Sequence, residues 1–157
     1  MKSREELLEL VMKYGWDHVS TKQKLSENFI KEFKNNVIWR KISYSQTLSE
    51  DFIREFQNRV NWKWVTSAQT LSEDFIREFQ DKIYWLHISS NQKLSEDFIR
   101  EFQDKIDWSR ISFGQKLSQE FVLEFAERID FSFMKDLTKW HDGEEINEDL
   151  KLLLRLV

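Results

Sequence analysis

Residues 71–83 read LSEDFIREFQDKI, and this stretch decides the fold because near-copies of it recur along the chain. The copies are 23 residues apart, and an aromatic residue follows each of them two positions later. The first leucines of the copies are Leu25, Leu48, Leu71, Leu94 and Leu117. A fixed period of this length is typical of a solenoid, in which stacked units cover one another's apolar faces.

Each copy predicts one helix along its length. Ser72 is a good N-cap residue, and the two acidic residues after it are favourable at the positive end of a helix. Leu71 can pack on Ile76 as a hydrophobic staple. The apolar residues that share one face at 3.6 residues per turn are Phe75, Ile76, Phe79 and Ile83. We predict that this face is core.

The segment between two copies predicts a second, shorter helix. In 107–116, Trp108, Ile111 and Gln115 fall at i, i+3 and i+7, on one side of a helix. The repeated tryptophan column is therefore also predicted to be core, and the pattern leaves open whether the helix is α or 3₁₀. Together the two segments predict an all-α, right- or left-handed α-solenoid of five 23-residue two-helix repeats.

The two ends of the chain depart from the repeat, as expected where a solenoid must cap its open apolar face. We predict a single repeat domain over 1–157, with an N-terminal capping helix at 1–14 and the five repeats at 15–129. A partial repeat and a C-terminal capping helix would occupy 130–157, where an Asp-Gly pair breaks the chain before an amphipathic helix. The apolar residues of that helix are Ile146, Leu150, Leu153 and Leu154.

Composition excludes several classes of protein. The chain has no proline and only three glycines, as expected of a helical protein, and 40% hydrophobic residues suffice for one core. The absence of cysteine excludes disulfides and thiolate metal sites and indicates a reducing compartment. No apolar run approaches the roughly 20 residues that span a bilayer, and the N-terminus lacks a signal-peptide pattern. We expect a cytoplasmic protein without membrane contact.

Paired carboxylates recur in every repeat and raise the question of an acid–base site. Each lies four residues before a cation, the favourable orientation for an ion pair on a helix. Because an active site is usually one asymmetric place, a pattern repeated in every unit indicates a solvated structural face. The predicted pairs are Glu50–Arg54, Glu73–Arg77, Glu96–Arg100, Glu55–Arg59, Glu78–Lys82, Glu101–Lys105 and Glu124–Arg128.

No other motif predicts catalysis, a metal or a cofactor, and we expect no enzyme. The histidines at 18, 87 and 141 form no metal-binding pair, and the chain has neither a phosphate loop nor a nucleophile elbow. The repeated serines are predicted to cap helices, and the repeated glutamines to bond backbone in the turns. These residues are Ser26, Ser49, Ser72, Ser95 and Ser118, and Gln23, Gln46, Gln69, Gln92 and Gln115.

Function is sought in the columns that vary between repeats, because the scaffold explains the constant ones. The columns one, two and five positions after the repeated tryptophan vary. If tryptophan, isoleucine and glutamine point inward, these columns project outward together as one stripe. The predicted partner-binding residues are Arg40, Lys41, Tyr44, Lys63, Trp64, His87, Arg110 and Phe113.

Formal charge also differs between the short segments and the copies. The five short segments carry a summed formal charge of +6, whereas the five copies carry −7. A basic, aromatic edge favours a protein partner with an acidic or mixed surface, since Trp, Tyr and Arg dominate binding energy at interfaces. Binding of nucleic acid or a nucleotide by this edge is the alternative, disfavoured by the overall acidity.

Two further interpretations of the varied columns stay open. The acidic edge of one molecule could meet the basic edge of another, so we expect a monomer or weak self-association. The columns could also vary because nothing constrains them, in which case the stripe has no function.

The run QTLSEDFIREF at 69–79, followed by WLHIS at 85–89, resembles short tandem repeats in proteins that large DNA viruses and some phages encode. The resemblance covers about residues 15–134. It implies a small viral adaptor or inhibitor without an active site, which occupies a host protein, including host defence proteins, in the host cell cytoplasm.

Overall fold

The computed structural model describes residues 2–133 and 144–156, and every regular element in these residues is helical. The first helix, α1, spans Arg4–Lys22. Six- and seven-residue helices then alternate: α2 Glu27–Glu32, α3 Trp39–Ser45, α4 Glu50–Glu55, α5 Trp62–Ala68, α6 Glu73–Glu78, α7 Trp85–Asn91, α8 Glu96–Glu101, α9 Trp108–Gly114 and α10 Gln119–Glu124. A 3₁₀ turn at Phe131–Phe133 and α11 at Glu148–Leu156 complete the described chain.

The chain divides into two compact units, residues 1–84 (unit 1) and 85–157 (unit 2). In unit 1, α1 packs against α3, and α3 packs against α5. In unit 2, α7 packs against α9, and α10 packs against α11. Each unit is a stack of repeats, and each repeat supplies one helix from a copy and one from a segment between copies. The predicted all-α repeat solenoid is confirmed in this architecture.

The short helices begin as predicted. Ser72 Oγ accepts the backbone N–H of Phe75 at 3.2 Å, which satisfies one free donor of the first turn. The same cap is present at Ser26, Ser49, Ser95 and Ser118. The segments between copies form α-helices, such as Trp108–Gly114, rather than the 3₁₀ alternative.

The helix predicted for the whole of 71–83 is wrong in length. Helix α6 has only six residues, and Phe79 already leaves the helical region with φ −111° and ψ 25°. The equivalent helix of the preceding repeat, α4, shows the cause. After this helix, the carbonyl of Gln57 accepts the indole N–H of Trp62 at 2.9 Å. A continuing helix would have used that carbonyl for the N–H four residues on. Because six-residue helices have little stability alone, such packing contacts set their length.

The predicted apolar face is the core. Phe75 and Ile76 are fully buried, and Phe79 and Ile83 are buried nearly as well. The rings of Phe75 and Phe79 lie 4.7 Å apart, and the ring of Trp62 packs on Phe79 at 4.9 Å. Trp62 itself is only half-buried, contrary to the prediction, because its indole N–H reaches a backbone carbonyl at the edge of the core.

The N-terminal segment forms the helix that was predicted ahead of the first repeat. Ser3 and Glu6 form a reciprocal capping box at its start, and Leu7 is buried against the first repeat. Gly15 interrupts α1 with φ 79° and ψ 169°, a left-handed conformation that glycine adopts without a side-chain clash. Thus α1 consists of a leading helix and the first short helix of the repeat array.

At the C-terminal end, the predicted apolar residues are packed only in part. Ile146 and Leu150 are buried, whereas Leu153 and Leu154 are half-buried. The final helix begins only at Glu148, so Ile146, which was predicted to lie on it, lies in the irregular segment before it. The predicted Asp-Gly break at 142–143 lies outside the described residues.

Candidate partner-binding surface

The repeated glutamines fasten each turn to the turn before it. The side-chain amide of Gln69 donates to the backbone carbonyls of Ser43 at 3.0 Å and Gln46 at 2.8 Å. Its amide oxygen accepts the backbone N–H of Leu48 at 3.0 Å. The predicted bonding of glutamine to turn backbone is confirmed, with the turn supplied by the preceding repeat.

A buried hydroxyl column has a role that the sequence analysis did not assign. Ser43 Oγ donates to the carbonyl of Trp39 at 2.8 Å and accepts the backbone N–H of Asn61 at 2.9 Å. Ser43 is fully buried, and this one side chain joins two repeats. The available signal was that only serine or threonine occupies the column, at Ser20, Ser43, Thr66, Ser89 and Ser112.

The first set of predicted ion pairs within a helix is present. Arg54 lies 3.7 Å from Glu50. Oε1 of the same glutamate also accepts the backbone N–H of Ser72 in the next repeat at 2.6 Å. The equivalent ion pairs, also at 3.7 Å, are Glu73–Arg77 and Glu96–Arg100. These carboxylates therefore belong to the scaffold.

The second set of predicted ion pairs is wrong where the structure shows the partners. Glu78 pairs with Arg54 of the preceding repeat at 2.7 Å, not with Lys82, because α6 ends before a fourth residue can follow. Hydrogen bonding to Glu78 raises the pKa of Arg54. Likewise Glu55 pairs with Lys31, not Arg59, and Glu124 with Arg100, not Arg128.

Five predicted partner-binding residues lie in unit 1, and we call them the aromatic-basic stripe: Arg40, Lys41 and Tyr44 on α3, and Lys63 and Trp64 on α5. Arg40, Tyr44 and Lys63 are exposed, and Lys41 and Trp64 are half-buried. The rings of Tyr44 and Trp64 meet edge to face with centroids 4.8 Å apart and an interplanar angle of 65°. The structure thus brings side chains from adjacent repeats together.

The polar side-chain groups of the aromatic-basic stripe lack partners in the described chain. The side chains of Arg40, Lys41 and Lys63 make no hydrogen bond or ion pair with any residue of the described chain. Elsewhere in unit 1, by contrast, Lys82 Nζ reaches Gln57 Oε1 at 2.6 Å. The indole N–H of Trp64 likewise has no acceptor among the described residues.

The other three predicted residues lie in unit 2. Arg110 and Phe113 are exposed on α9, Phe113 with 69% of its surface accessible, and His87 is half-buried on α7. Leu86, which precedes His87, is also exposed. Arg110 and Phe113 are therefore accessible on one short helix of this unit.

A further exposed column, outside the predicted partner-binding residues, lies directly before the repeated tryptophan. Ile38 and Tyr84 stand there, with 39% and 49% of their surface accessible. The available signal was variation, since the same column holds Asn61 and Asp107 in other repeats. Unit 1 therefore exposes apolar surface beyond the predicted stripe.

The histidines and the helices add no other site. His18 packs on the ring of Tyr14 at 4.8 Å, and His141 lies outside the described residues. Within 2–133 and 144–156, no group of three His, Cys, Asp or Glu side chains could hold a metal ion. None of the described helices combines the length and apolar character that crossing a membrane requires.

No protein-family model matches this chain, and neither a curated protein nor a solved structure matches it. The resemblance to viral and phage repeats therefore stays a prediction. What bears on function is the chemistry of the aromatic-basic stripe itself.

Proposed function

We propose that this chain is a non-enzymatic protein-binding module that holds an acidic protein surface on the aromatic-basic stripe. The observation that carries the proposal is the contact at the surface between Tyr44 and Trp64, two large aromatic side chains from columns that vary between repeats. Trp64 lies two residues from Trp62 on the same helix, but only Trp62 gives its indole N–H to the backbone. A large, partly accessible aromatic side chain whose indole N–H has no acceptor in the described scaffold is a candidate source of binding energy.

The aromatic pair supplies an apolar anchor with two polar tips. Tyr44 and Trp64 belong to adjacent repeats, so their contact joins α3 and α5 at the surface. Each side chain has only two rotatable bonds, and it therefore loses little conformational entropy on binding. The indole N–H and the phenol hydroxyl could each hydrogen-bond to a partner while the rings exclude water.

The cations beside the pair favour an acidic partner. Arg40 and Lys41 lie four and three residues before Tyr44, and Lys63 directly precedes Trp64. Because no described carboxylate pairs with these three cations, carboxylates of a partner would form charge-assisted hydrogen bonds without displacing an existing ion pair. The positive charge would also speed association with an acidic surface.

The carboxylates of the scaffold support a role without catalysis. Glu50 and Glu78 are both engaged by neighbouring repeats, so their positions follow from stacking. If the resemblance to viral and phage repeats holds, the partner is a host protein, and the module acts as an adaptor or an inhibitor in the host cytoplasm.

The test compares capture of proteins from a cell extract by three immobilised forms of the full chain. These forms are the wild type, the stripe variant Arg40→Ala/Trp64→Ala, and the control Lys34→Ala/Asn35→Ala. The control changes one cation and one polar residue that are exposed in the turn after α2. Each capture is run with and without nuclease and at two salt concentrations, and bound proteins are identified by mass spectrometry.

We expect one acidic protein on the wild type and on the control, retained after nuclease, and at least a tenfold loss on the stripe variant. Circular dichroism at the temperature of the capture should show the same helix content for all three forms, although loss of the Tyr44–Trp64 contact lowers the melting temperature of the stripe variant. Retention on the stripe variant would contradict the proposal. Recovery of nucleic acid alone, lost as salt rises, would replace it with the nucleic-acid alternative.

A further inference from the structure

Several glutamine side chains of this protein bind backbone outside the helices. Gln46 shows the geometry in unit 1, where its amide N–H donates to the carbonyl of Gln23 at 2.9 Å and its oxygen accepts the N–H of Leu25 at 2.9 Å. The two backbone groups belong to residues i and i+2 of an extended turn. In unit 2, Gln115 binds Gln92 and Leu94 in the same way, at 2.7 and 3.1 Å.

The same grip works on a segment outside the repeat. On α10, the amide of Gln119 donates to the carbonyl of Glu145 at 2.9 Å, and its oxygen accepts the N–H of Asn147 at 2.7 Å. The residue between them is Ile146, whereas the equivalent residue of a repeat turn is Lys24. Both hydrogen bonds join the glutamine side chain to backbone atoms of the bound segment. Binding of this kind therefore tolerates a change of sequence in that segment.

One member of the glutamine column holds nothing in the described structure. The side chain of Gln23 has no hydrogen-bond partner among the described residues, although its own carbonyl is held by Gln46. The residues ahead of it, from Arg4 onward, form a helix and supply no extended turn. Gln23 is half-exposed, so both of its amide groups remain available to a ligand.

The surroundings of Gln23 favour an acidic ligand. Lys22 and Lys24 flank Gln23 in the sequence, and both are exposed. Neither lysine side chain has an ion-pair partner among the described residues. Gln119 already holds the backbone of Glu145 and Asn147, and the segment around them, 144–150, contains four acidic residues and no basic one.

We propose that Gln23 is a second binding site, which captures an extended, acidic peptide segment of a partner protein. The amide would grip the carbonyl of residue i and the N–H of residue i+2, as Gln46 and Gln119 do. Lys22 and Lys24 would contact the acidic side chains on either side. This site uses none of the residues of the aromatic-basic stripe.

The probe is the acetylated and amidated heptapeptide EEINEDL, the sequence of residues 144–150. Binding to the full chain is followed by NMR through the side-chain amide signals of Gln23, and by calorimetry. We expect the peptide to shift those signals, and Gln23→Ala to weaken binding about tenfold, as loss of two neutral hydrogen bonds implies. The control Asn35→Ala removes an exposed side-chain amide elsewhere in unit 1 and should bind normally.

Two altered peptides sharpen the test. N-methylation of the residue that corresponds to Asn147 removes the N–H donor and should weaken binding to wild type but not to Gln23→Ala. Replacing the acidic residues with their amides should weaken binding as well, if Lys22 and Lys24 contribute. Trp64→Ala should leave binding of the probe unchanged, which separates this site from the proposed function.

Equal affinity of wild type and Gln23→Ala, or shifts confined to Gln119, would overturn the proposal. Dimerisation that Gln23→Ala abolishes, with no shift by the peptide, would also overturn it and assign the amide of Gln23 to contact with a second copy of the chain.

Discussion

Trp62 and Trp64 lie two residues apart on α5, yet their surroundings differ. The ring of Trp62 packs on Phe79 in the same repeat, and its indole N–H binds the carbonyl of Gln57. Lys82 of the same repeat lies over its ring, 5.6 Å from the centroid. The ring of Trp64 packs edge to face on the ring of Tyr44, and its indole N–H is free in the described structure.

In this repeat protein, the side chains that stabilise the fold and those available for recognition lie in different columns. Side chains that recur every 23 residues, such as Trp62, are engaged by their own or a neighbouring repeat. Side chains that vary, such as Trp64, can differ from repeat to repeat without loss of stacking. The same residue type therefore has a structural role in one column and an available surface in another.

The largest expected effect separates the two tryptophans. Trp62→Ala should lower the free energy of unfolding by about 3 kcal/mol, because it removes ring packing and a hydrogen bond that ends a helix. Trp64→Ala should cost about 1 kcal/mol, since it loses chiefly one aromatic contact. Urea unfolding of the two variants, followed by circular dichroism, measures the difference. Equal losses would place both residues in the scaffold and remove the basis of the proposed function.

The next effect concerns the glutamine column. Gln69→Ala should lower the free energy of unfolding by about 2 kcal/mol, because two carbonyls and one N–H of a buried turn lose their partners. The control Asn35→Ala alters an exposed amide and should be nearly neutral. Unfolding by urea would measure both. A neutral result for Gln69→Ala would mean that water replaces the side chain, and that the ladder adds little stability.

Ion pairs between repeats should matter less. Arg54→Ala removes contacts with Glu78 at 2.7 Å and Asp51 at 3.0 Å, all of them at the surface. We expect Arg54→Ala to lower the free energy of unfolding by less than half as much as Gln69→Ala does. The decrease should be smaller still in 1 M salt, because exposed ion pairs are weak and salt screens them. A loss that does not change with salt would point instead to packing of the arginine on the ring of Phe75, at 5.1 Å.

The smallest effect is a pH dependence at the N-terminal helix. The hydrogen bond from Arg4 lowers the pKa of Glu32, so ionised Glu32 favours the folded state above its ordinary pKa. This contribution should disappear as the pH falls through the lowered pKa of the folded state. Carboxyl titration by NMR should show the pKa of Glu32 rising towards its ordinary value in Arg4→Ala but not in Lys24→Ala. An unchanged pKa in Arg4→Ala would contradict the pairing.

Sequence pattern predicted the elements that depend on neighbours in the chain. Ser72 as a cap, Phe75 and Ile76 as core, and Glu50 beside Arg54 all follow from the geometry of a single helical turn. The pattern failed where the partner comes from another repeat. Glu78 was assigned to Lys82 but binds Arg54, because the helix ends before the expected pair can form.

The candidate surface was likewise predictable from the sequence only in part. Its residue types and outward columns could be taken from variation between repeats, as for Arg40 and Lys63. The contact between Tyr44 and Trp64 could not, because it depends on how far one repeat shifts against the next. The open amide of Gln23 was also missed, since its meaning depends on what Gln46 and Gln119 hold.

From the sequence alone came the repeat period, the serine caps that start the helices and the buried phenylalanine and isoleucine columns of the core. These features follow from local rules, because a cap or an apolar face needs only residues within a few positions. The tertiary structure decided where the helices end, which charges pair and which amides stay open. Helices of six or seven residues are not stable alone, so contacts between repeats, which no local pattern encodes, set these features.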